Sequence, residues 1–145
     1  MTLRTYEHAR IPTRNQNGDP NGYLIPIYNL ADRVFARGEE PAQVYVTSIL
    51  VGQSKGPHLH HIRRGYFTCI RGDVKIVVKS AGGYQEYFSG ENHSYRSIEI
   101  PTGLPALIEN VSDVEALVIN MPFPAWTPSM NDEETADFSD YRRDA

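Results

Sequence analysis

Gly52-Gln53-Ser54-Lys55-Gly56-Pro57-His58-Leu59-His60-His61-Ile62-Arg63-Arg64-Gly65-Tyr66-Phe67-Thr68-Cys69-Ile70-Arg71-Gly72 is the stretch on which the reading turns. Side chains of an extended strand alternate between its two faces, so His58 and His60 point the same way and His61 points the other. Two imidazoles on one inner face can serve as metal ligands or as an acid/base pair, since histidine titrates near neutral pH. Spacing alone leaves a pair of surface histidines on a loop as an open alternative. Further along, Tyr66-Phe67-Thr68-Cys69-Ile70 is an apolar run whose cysteine reads as a buried structural thiol.

Working outward, the chain is a series of short β-like runs separated by turn signals. Residues 44–51, rich in Val, Ile, Thr and Tyr, read as a strong strand. Residues 66–71 and 74–79 flank Gly72-Asp73, a hairpin signature. Ser80-Ala81-Gly82-Gly83 marks the next turn, followed by strands over 84–88, 97–100, 106–110 and 116–121. Residues 22–30 surround Pro26 and suggest an edge or terminal strand. Short helical turns are expected at 31–37 and, after its acidic start, at 132–142. Asn15 to Gly22 is an evident loop. The expected organisation is a polar N-terminal arm over 1–22, one β domain over 23–126 and an acidic C-terminal tail over 127–145. Many short strands with regular turns indicate an all-β sandwich or barrel.

The 145 residues suit one domain of ordinary size. Fourteen basic against eighteen acidic side chains give a formal charge of -4, which argues against a protein that holds nucleic acid through a basic face. Local arginines can still bind a small phosphorylated ligand. A single cysteine makes no internal disulfide and no thiolate cluster. No apolar stretch is long enough to cross a bilayer, and the first residues lack the apolar core of a signal peptide, so a cytoplasmic protein without membrane partners is expected.

The quoted stretch resembles the first cupin motif, with Gly52 opening it, His58 and His60 as its pair and Gly72 closing it. Pro101-Thr102-Gly103-Leu104-Pro105-Ala106-Leu107-Ile108-Glu109-Asn110 resembles the second motif through Pro101, Gly103 and Asn110. The resemblance implies an all-β, single-domain cupin jelly-roll barrel of antiparallel strands. Two metal-ligand positions of that pattern fall on Gly65 and Ala106, neither of which coordinates through its side chain, so no metal and no other cofactor is expected. His61 and Glu109 are substitute ligands of lesser weight, being offset to the wrong face.

Lys55-Gly56-Pro57-His58-Leu59-His60 is similar to the R-G-x-H-x-H element of dTDP-sugar 3,4-ketoisomerases and, in its first four residues, to that of dTDP-4-dehydrorhamnose 3,5-epimerases. Residues 117–126 and Asn131-Asp132-Glu133 look like the closing segment of epimerase-like proteins. The resemblance implies a metal-independent isomerase of a nucleotide-linked 4-keto-deoxysugar, acting by proton abstraction beside the keto group. On it, His58 is the base and His60 a proton shuttle. Tyr45 is the partner acid, with Tyr66 and Tyr95 as rivals. A base next to the ketone and preorganised donors at the enolate oxygen suffice for such chemistry.

Lys55, Arg63, Arg64 and Arg71 are the expected diphosphate-binding cations. Gly65, with Ala106, leaves room for a sugar ring unless Phe67 fills it. Trp126 either stacks on a base or packs the domain end. One of Asp132, Glu133 and Glu134 is able to orient a histidine in the pocket. A homodimer is expected by analogy. A non-catalytic sugar- or metabolite-binding cupin is the alternative from a different class.

Overall fold

The computed structural model describes residues 2–141. Its strands, in chain order, are β1 (Thr5–His8), β2 (Ile11–Arg14), β3 (Pro20–Leu24), β4 (Tyr45–Ile49), β5 (Ser54–His60), β6 (Gly65–Arg71), β7 (Asp73–Ser80), β8 (Gly83–Gly90), β9 (Tyr95–Ile100), β10 (Ala106–Asn110), β11 (Ala116–Asn120) and β12 (Glu133–Thr135). One sheet runs β1-β9-β6-β11-β4, the other β12-β5-β10-β7-β8, and β2 with β3 makes a separate hairpin. All named pairings are antiparallel. The fold is the expected cupin-like jelly roll of two facing sheets, and neither sheet closes into a barrel. No helix among the described residues is long and apolar enough to cross a membrane.

The alternation of β7 shows how the layers form. Val74, Ile76 and Val78 point inward with Ile49, Cys69, Ile98, Ile108 and Val118 to make the main core. Val77 points outward with Leu107 of β10, and the C-terminal segment covers both with Phe138 and Tyr141. A strand flanked on both sides by apolar cover therefore reads as the near-continuous run Val74-Lys75-Ile76-Val77-Val78. Tyr84 meets the same segment through a hydrogen bond to Asp140, and Lys75 lies 5.5 Å from the Tyr141 ring centroid. Cys69 is wholly buried, and burial pushes its thiol up to about 12, as a structural thiol requires.

The strand expectations from residue 44 onward hold to within a few residues. Four others do not. The edge strand expected over 22–30 is met only by β3, which ends at Leu24, ahead of Pro26. Gly72-Asp73 is not a hairpin turn, because β6 and β7 belong to different sheets. Gly72 adopts φ 70° there, and the chain crosses from one layer to the other. The expected helix over 132–142 is replaced in its first part by β12, which adds to the edge of β5; Arg142 lies outside the described residues, as do the last residues of the tail. The expected turns at 31–37 reduce to a 3-10 turn over Leu30–Asp32, capped by the Asn29 side chain. The N-terminal arm also carries strand material: β1 pairs with β9, and Leu3 reaches the core.

One glycine sets the geometry of the histidine strand. Gly56 has φ 89°, and a Cβ placed on it would lie 2.8 Å from the Ala106 carbonyl oxygen. That close approach accompanies the register shift in the β5–β10 ladder, beyond which His58 faces Ala106. Gly56→Ala is expected to destabilise the fold by about 2 kcal/mol or more, through the forbidden φ and the backbone contact together. Urea denaturation checks it, and an unchanged midpoint would contradict this account.

Candidate active site

The candidate site lies between the layers, where edge strand β4 of the first sheet faces β5 and β12 of the second. A cavity of about 240 Å³ opens there. Ile100, Leu104, Ala106 and Ile108 give it an apolar floor; His58, His60, Lys55, Tyr45, Arg63 and Glu133 supply its polar groups. This mixture of an apolar floor and a few convergent polar groups is the usual character of a small-molecule site.

His58 and His60 come from alternate positions of β5 and line the cavity together, with ring centroids 5.1 Å apart and an edge-on angle of 73°. His61 points away and pairs with Glu134 at 3.2 Å, as alternation requires. Glu109 is likewise directed elsewhere, 3.6 Å from Lys75. Ala106 sits opposite His58 in the ladder.

Asp132 organises this end of the molecule. Its carboxylate accepts from Nδ1 of His60 at 2.7 Å, from Nε of Arg63 at 2.7 Å, and from the backbone N–H groups of Ile62 at 2.7 Å and Arg63 at 3.1 Å. Its side chain is 2% exposed. Burial by itself would raise this carboxyl, but the hydrogen bonds from Arg63, His60 and the two amides outweigh it and hold the group well below the usual carboxylate range. An ionised carboxylate 2.7 Å from a ring nitrogen needs a proton between them, so Nδ1 of His60 carries the hydrogen. Nε2 then carries the lone pair.

Burial lowers the His60 pKa; the Asp132 hydrogen bond raises it and the Arg63 charge lowers it, with a net fall below 6.5. The ring is therefore a neutral, oriented base at pH 7. His58 lacks such a partner: its Nδ1 is buried without a hydrogen bond.

The expected residues separate clearly. His58, His60, Tyr45, Lys55, Arg63 and Gly65 meet at the cavity. Tyr45 Oη accepts from Nδ2 of Asn120 at 2.8 Å and from Nη1 of Arg63 at 3.3 Å. Tyr66 and Tyr95, the rival acids, are buried elsewhere; Tyr66 is directed at the Ile27 carbonyl. Lys55 is exposed at the mouth, where its Nζ donates to Thr47 Oγ1 at 2.7 Å. Arg63 is buried and already neutralised by Asp132.

Arg64 and Arg71 do not belong to this cavity. Arg64 points to the opposite side of the chain from Arg63, lies 3.8 Å from the Phe35 ring centroid and donates to the Glu39 carbonyl. Arg71 ends β6, exposed and six residues beyond Gly65 at the cavity end, a distance of roughly 20 Å along a strand. Gly65 gives its space to Phe67. A Cβ on Gly65 would lie 2.2 Å from Cε2 of that ring, so the aromatic ring fills the position while the cavity continues beside it.

Glu133, offered by the sequence only as one of three carboxylates able to orient a histidine, lies opposite His60 in the β12–β5 ladder, and its Oε1 is 4.0 Å from Nε2 of both His58 and His60. The three side chains bring ligand atoms within 4.8 Å of one another, a donor set that suits a borderline divalent cation. Trp126 is 47% exposed beside Gln43, lining a second hollow of about 690 Å³. The two hollows share Tyr45, Arg63 and Glu133. The only signal for Glu133 in the sequence is the acidic run itself, which does not say which carboxylate folds back.

With this geometry in view, comparison with solved structures is informative. The chain has the fold of dTDP-sugar isomerases. A dTDP-sugar isomerase from Desulfovibrio desulfuricans G20 superposes with a TM-score of 0.77 at 19% identity, over 93% of this chain and 83% of that one. ChmJ, a 3'-monoepimerase from Streptomyces bikiniensis in complex with dTDP-quinovose, gives 0.72 at 18% identity over 95% and 71%. The QdtA 3,4-ketoisomerase from Thermoanaerobacterium thermosaccharolyticum, a double mutant in complex with TDP, gives 0.67 at 16% over 91% and 86%. No protein-family model matches the sequence. No curated protein matches it either.

Removing Asp132 leaves buried Arg63 with only the looser, half-exposed Glu133 at 3.7 Å, so Asp132→Ala is expected to cost about 3 kcal/mol. Because the folded Asp132 pKa is depressed, its contribution is present above the unfolded value near 3.9 and is lost as pH falls below it. Urea melts between pH 2 and pH 7 (roughly from above the unfolded carboxylate's titration down into the range where it is protonated and the folded Asp132 is still ionised) should show a steeper acid loss for wild type than for Asp132→Ala; parallel curves would contradict the assignment.

Proposed function

We propose that the protein is an isomerase of a nucleotide-linked 4-keto-deoxysugar, acting by proton transfer at a carbon beside the keto group. The observation that carries this reading is the Asp132–His60 pair, which presents an oriented, neutral imidazole to a cavity with an apolar floor. Support comes also from the solved structures with this fold, which include dTDP-sugar epimerases and 3,4-ketoisomerases.

In this reading Nε2 of His60 removes the proton α to the carbonyl, while Asp132 holds the ring's tautomer and stabilises the imidazolium that forms. His58, on the same face and 5.1 Å away, is the second proton-transfer group, which returns the proton or relays it between adjacent carbons. Return of the proton to the opposite face inverts the carbon; relay to the neighbouring carbon moves the carbonyl. Tyr45, whose oxygen accepts from Arg63 and Asn120, is positioned to donate its own hydrogen toward the developing enolate oxygen. Apolar walls around these groups strengthen the hydrogen bonds to that charge.

The sugar ring occupies the inner cavity, and the nucleotide continues into the adjoining hollow beside Trp126. Lys55 is the cation at the mouth still available to a diphosphate, since Arg63 is paired with Asp132. The proton transfers described need only this chain's own side chains.

A homodimer completes the reading. Edge strand β4 presents Val46 to solvent, with Val44 just before it and Leu50 just after, and the β2–β3 hairpin exposes Ile11, Tyr23 and Leu24. Sedimentation equilibrium is expected to return twice the chain mass, and a monomer would remove this part of the proposal.

The deciding experiment is deuterium incorporation followed by NMR with dTDP-, UDP- and GDP-linked 4-keto-6-deoxysugars. Wild type should exchange hydrogen at C3 or C5, and His60→Ala and His58→Ala should each lose about 100-fold or more. The acid limb of the rate should fall below pH 6.5, because His60 must be neutral to act and its pKa is lowered. Inversion at the exchanged carbons identifies an epimerase, and a carbonyl at C3 identifies a ketoisomerase. No exchange with any of these sugars, in folded protein, would overturn the proposal.

A further inference from the structure

We propose that Asn120 is a positioning residue that turns the Tyr45 hydroxyl hydrogen into the cavity and so arms this phenol as the acid of the site. The inference rests on the proton-transfer reaction proposed above and names the residue that sets its acid.

The pattern of β11 poses the question. Ala116, Val118 and Asn120 alternate to the inner side of the first sheet, where Ala116 and Val118 are wholly buried in the main core. Asn120 continues that apolar face with a primary amide, and the residue is 3% exposed. A buried amide needs partners for its oxygen and for its hydrogens. Its Oδ1 accepts from the backbone N–H of Tyr66 at 3.0 Å, and its Nδ2 donates to Tyr45 Oη at 2.8 Å. The first bond decides the second. A backbone N–H only donates, so Oδ1 must face Tyr66, and the amide hydrogens are left to face Tyr45. The β11–β4 register supports the contact by setting Asn120 directly opposite Tyr45.

The phenol oxygen is thus met by donors. Arg63 Nη1 also donates to it, at 3.3 Å. Neither an amide NH₂ nor a guanidinium accepts a hydrogen bond. The Tyr45 hydrogen therefore turns from both, and the cavity that Tyr45 lines is where it finds room. As Nε2 of His60 takes the carbon-bound proton, the C–H electron pair becomes the enol double bond, and the Tyr45 proton passes to the former carbonyl oxygen. The phenolate left behind is held by the Asn120 N–H and the positively charged Arg63, both in place before the charge develops. Return of the two protons restores Tyr45 and a carbonyl.

Asn120→Asp tests this with almost no change of shape. Its carboxylate still accepts from Tyr66 and now accepts from Tyr45 as well, which draws the hydroxyl hydrogen out of the cavity. Deuterium exchange into the keto-sugar should lose about 10- to 100-fold in kcat, with KM held within about threefold, the pattern of an interaction made in the transition state. In a Tyr45→Phe background, which has no hydroxyl to turn, Asn120→Asp should lose less than about threefold more, a result that a merely structural role would not give. Losses that multiply across the pair would overturn the proposal, as would full activity in Asn120→Asp. A second readout needs no turnover. With tyrosine labelled with ¹³C at Cζ, the Tyr45 signal is assigned by its disappearance in Tyr45→Phe. It should move downfield in Asn120→Asp as the phenol comes to donate to a carboxylate, and an unmoved signal would overturn the proposal. Circular dichroism establishes that each variant is folded; Asn120→Ser, too short to bridge Tyr66 and Tyr45, takes its place in the cycle should Asn120→Asp not fold. Absence of exchange in wild type refutes the proposed reaction alone and leaves the carbon signal to judge Asn120.

Discussion

The carboxylate of Asp132 is the constraint on which this end of the molecule depends. Four hydrogen bonds converge on it: two from side chains, His60 and Arg63, and two from the backbone that carries the chain from β5 toward β6. Without a partner for Arg63 the buried guanidinium would be an uncompensated charge, so the ion pair and the path of the chain after His60 stand or fall together. The backbone amide of His61 also donates to the Asp132 carbonyl. The residue thus locks the last strand of the fold onto the strand that bears the histidines.

That lock explains why the tail belongs to the site rather than trailing from it. Once Asp132 is seated, Glu133 falls opposite His60, and Thr135 falls opposite His58. Farther along, Phe138 and Tyr141 cover Val77 and Leu107 on the outside of the second sheet. The C-terminal segment therefore has two roles in one path: it orients a histidine at the cavity, and it shields the apolar outer face of β7 and β10. The run of hydrophobic residues in β7 is intelligible only with that second cover in place.

Small residues shape the other walls. Gly56 lets β5 approach β10 closely enough to displace the register, and Ala106 then faces His58. Gly65 accommodates the Phe67 ring. Across the cavity, Asn120 accepts from the Tyr66 amide and donates to Tyr45, so one side chain of β11 supports both the β6 backbone and a cavity-lining phenol. Asn110, picked out by its place in the second motif, is structural: its amide group donates to the Ile49 and Val114 carbonyls, and its oxygen accepts from Ser112.

Period-two alternation was enough to place His58 and His60 on one face and His61 on the other, because a strand's side-chain direction is a local property. Short β-rich runs between turn residues were enough to outline the strands from β4 to β11, and the apolar setting of Cys69 announced its burial. What local pattern does not contain is the partner across space. Gly72-Asp73 has the residues of a hairpin turn, yet sheet membership is decided by where the following strand finds its pairing, so the chain crosses layers there. Arg63 and Arg64 are indistinguishable as adjacent cations until Asp132, sixty-nine residues away, takes one of them. The acidic run at 132–134 reads as helix start or soluble end from sequence. Only tertiary pairing with β5 made it a strand, buried its first carboxylate against His60 and brought its second to the cavity, because hydrogen-bond satisfaction at an open sheet edge is settled by the folded chain as a whole.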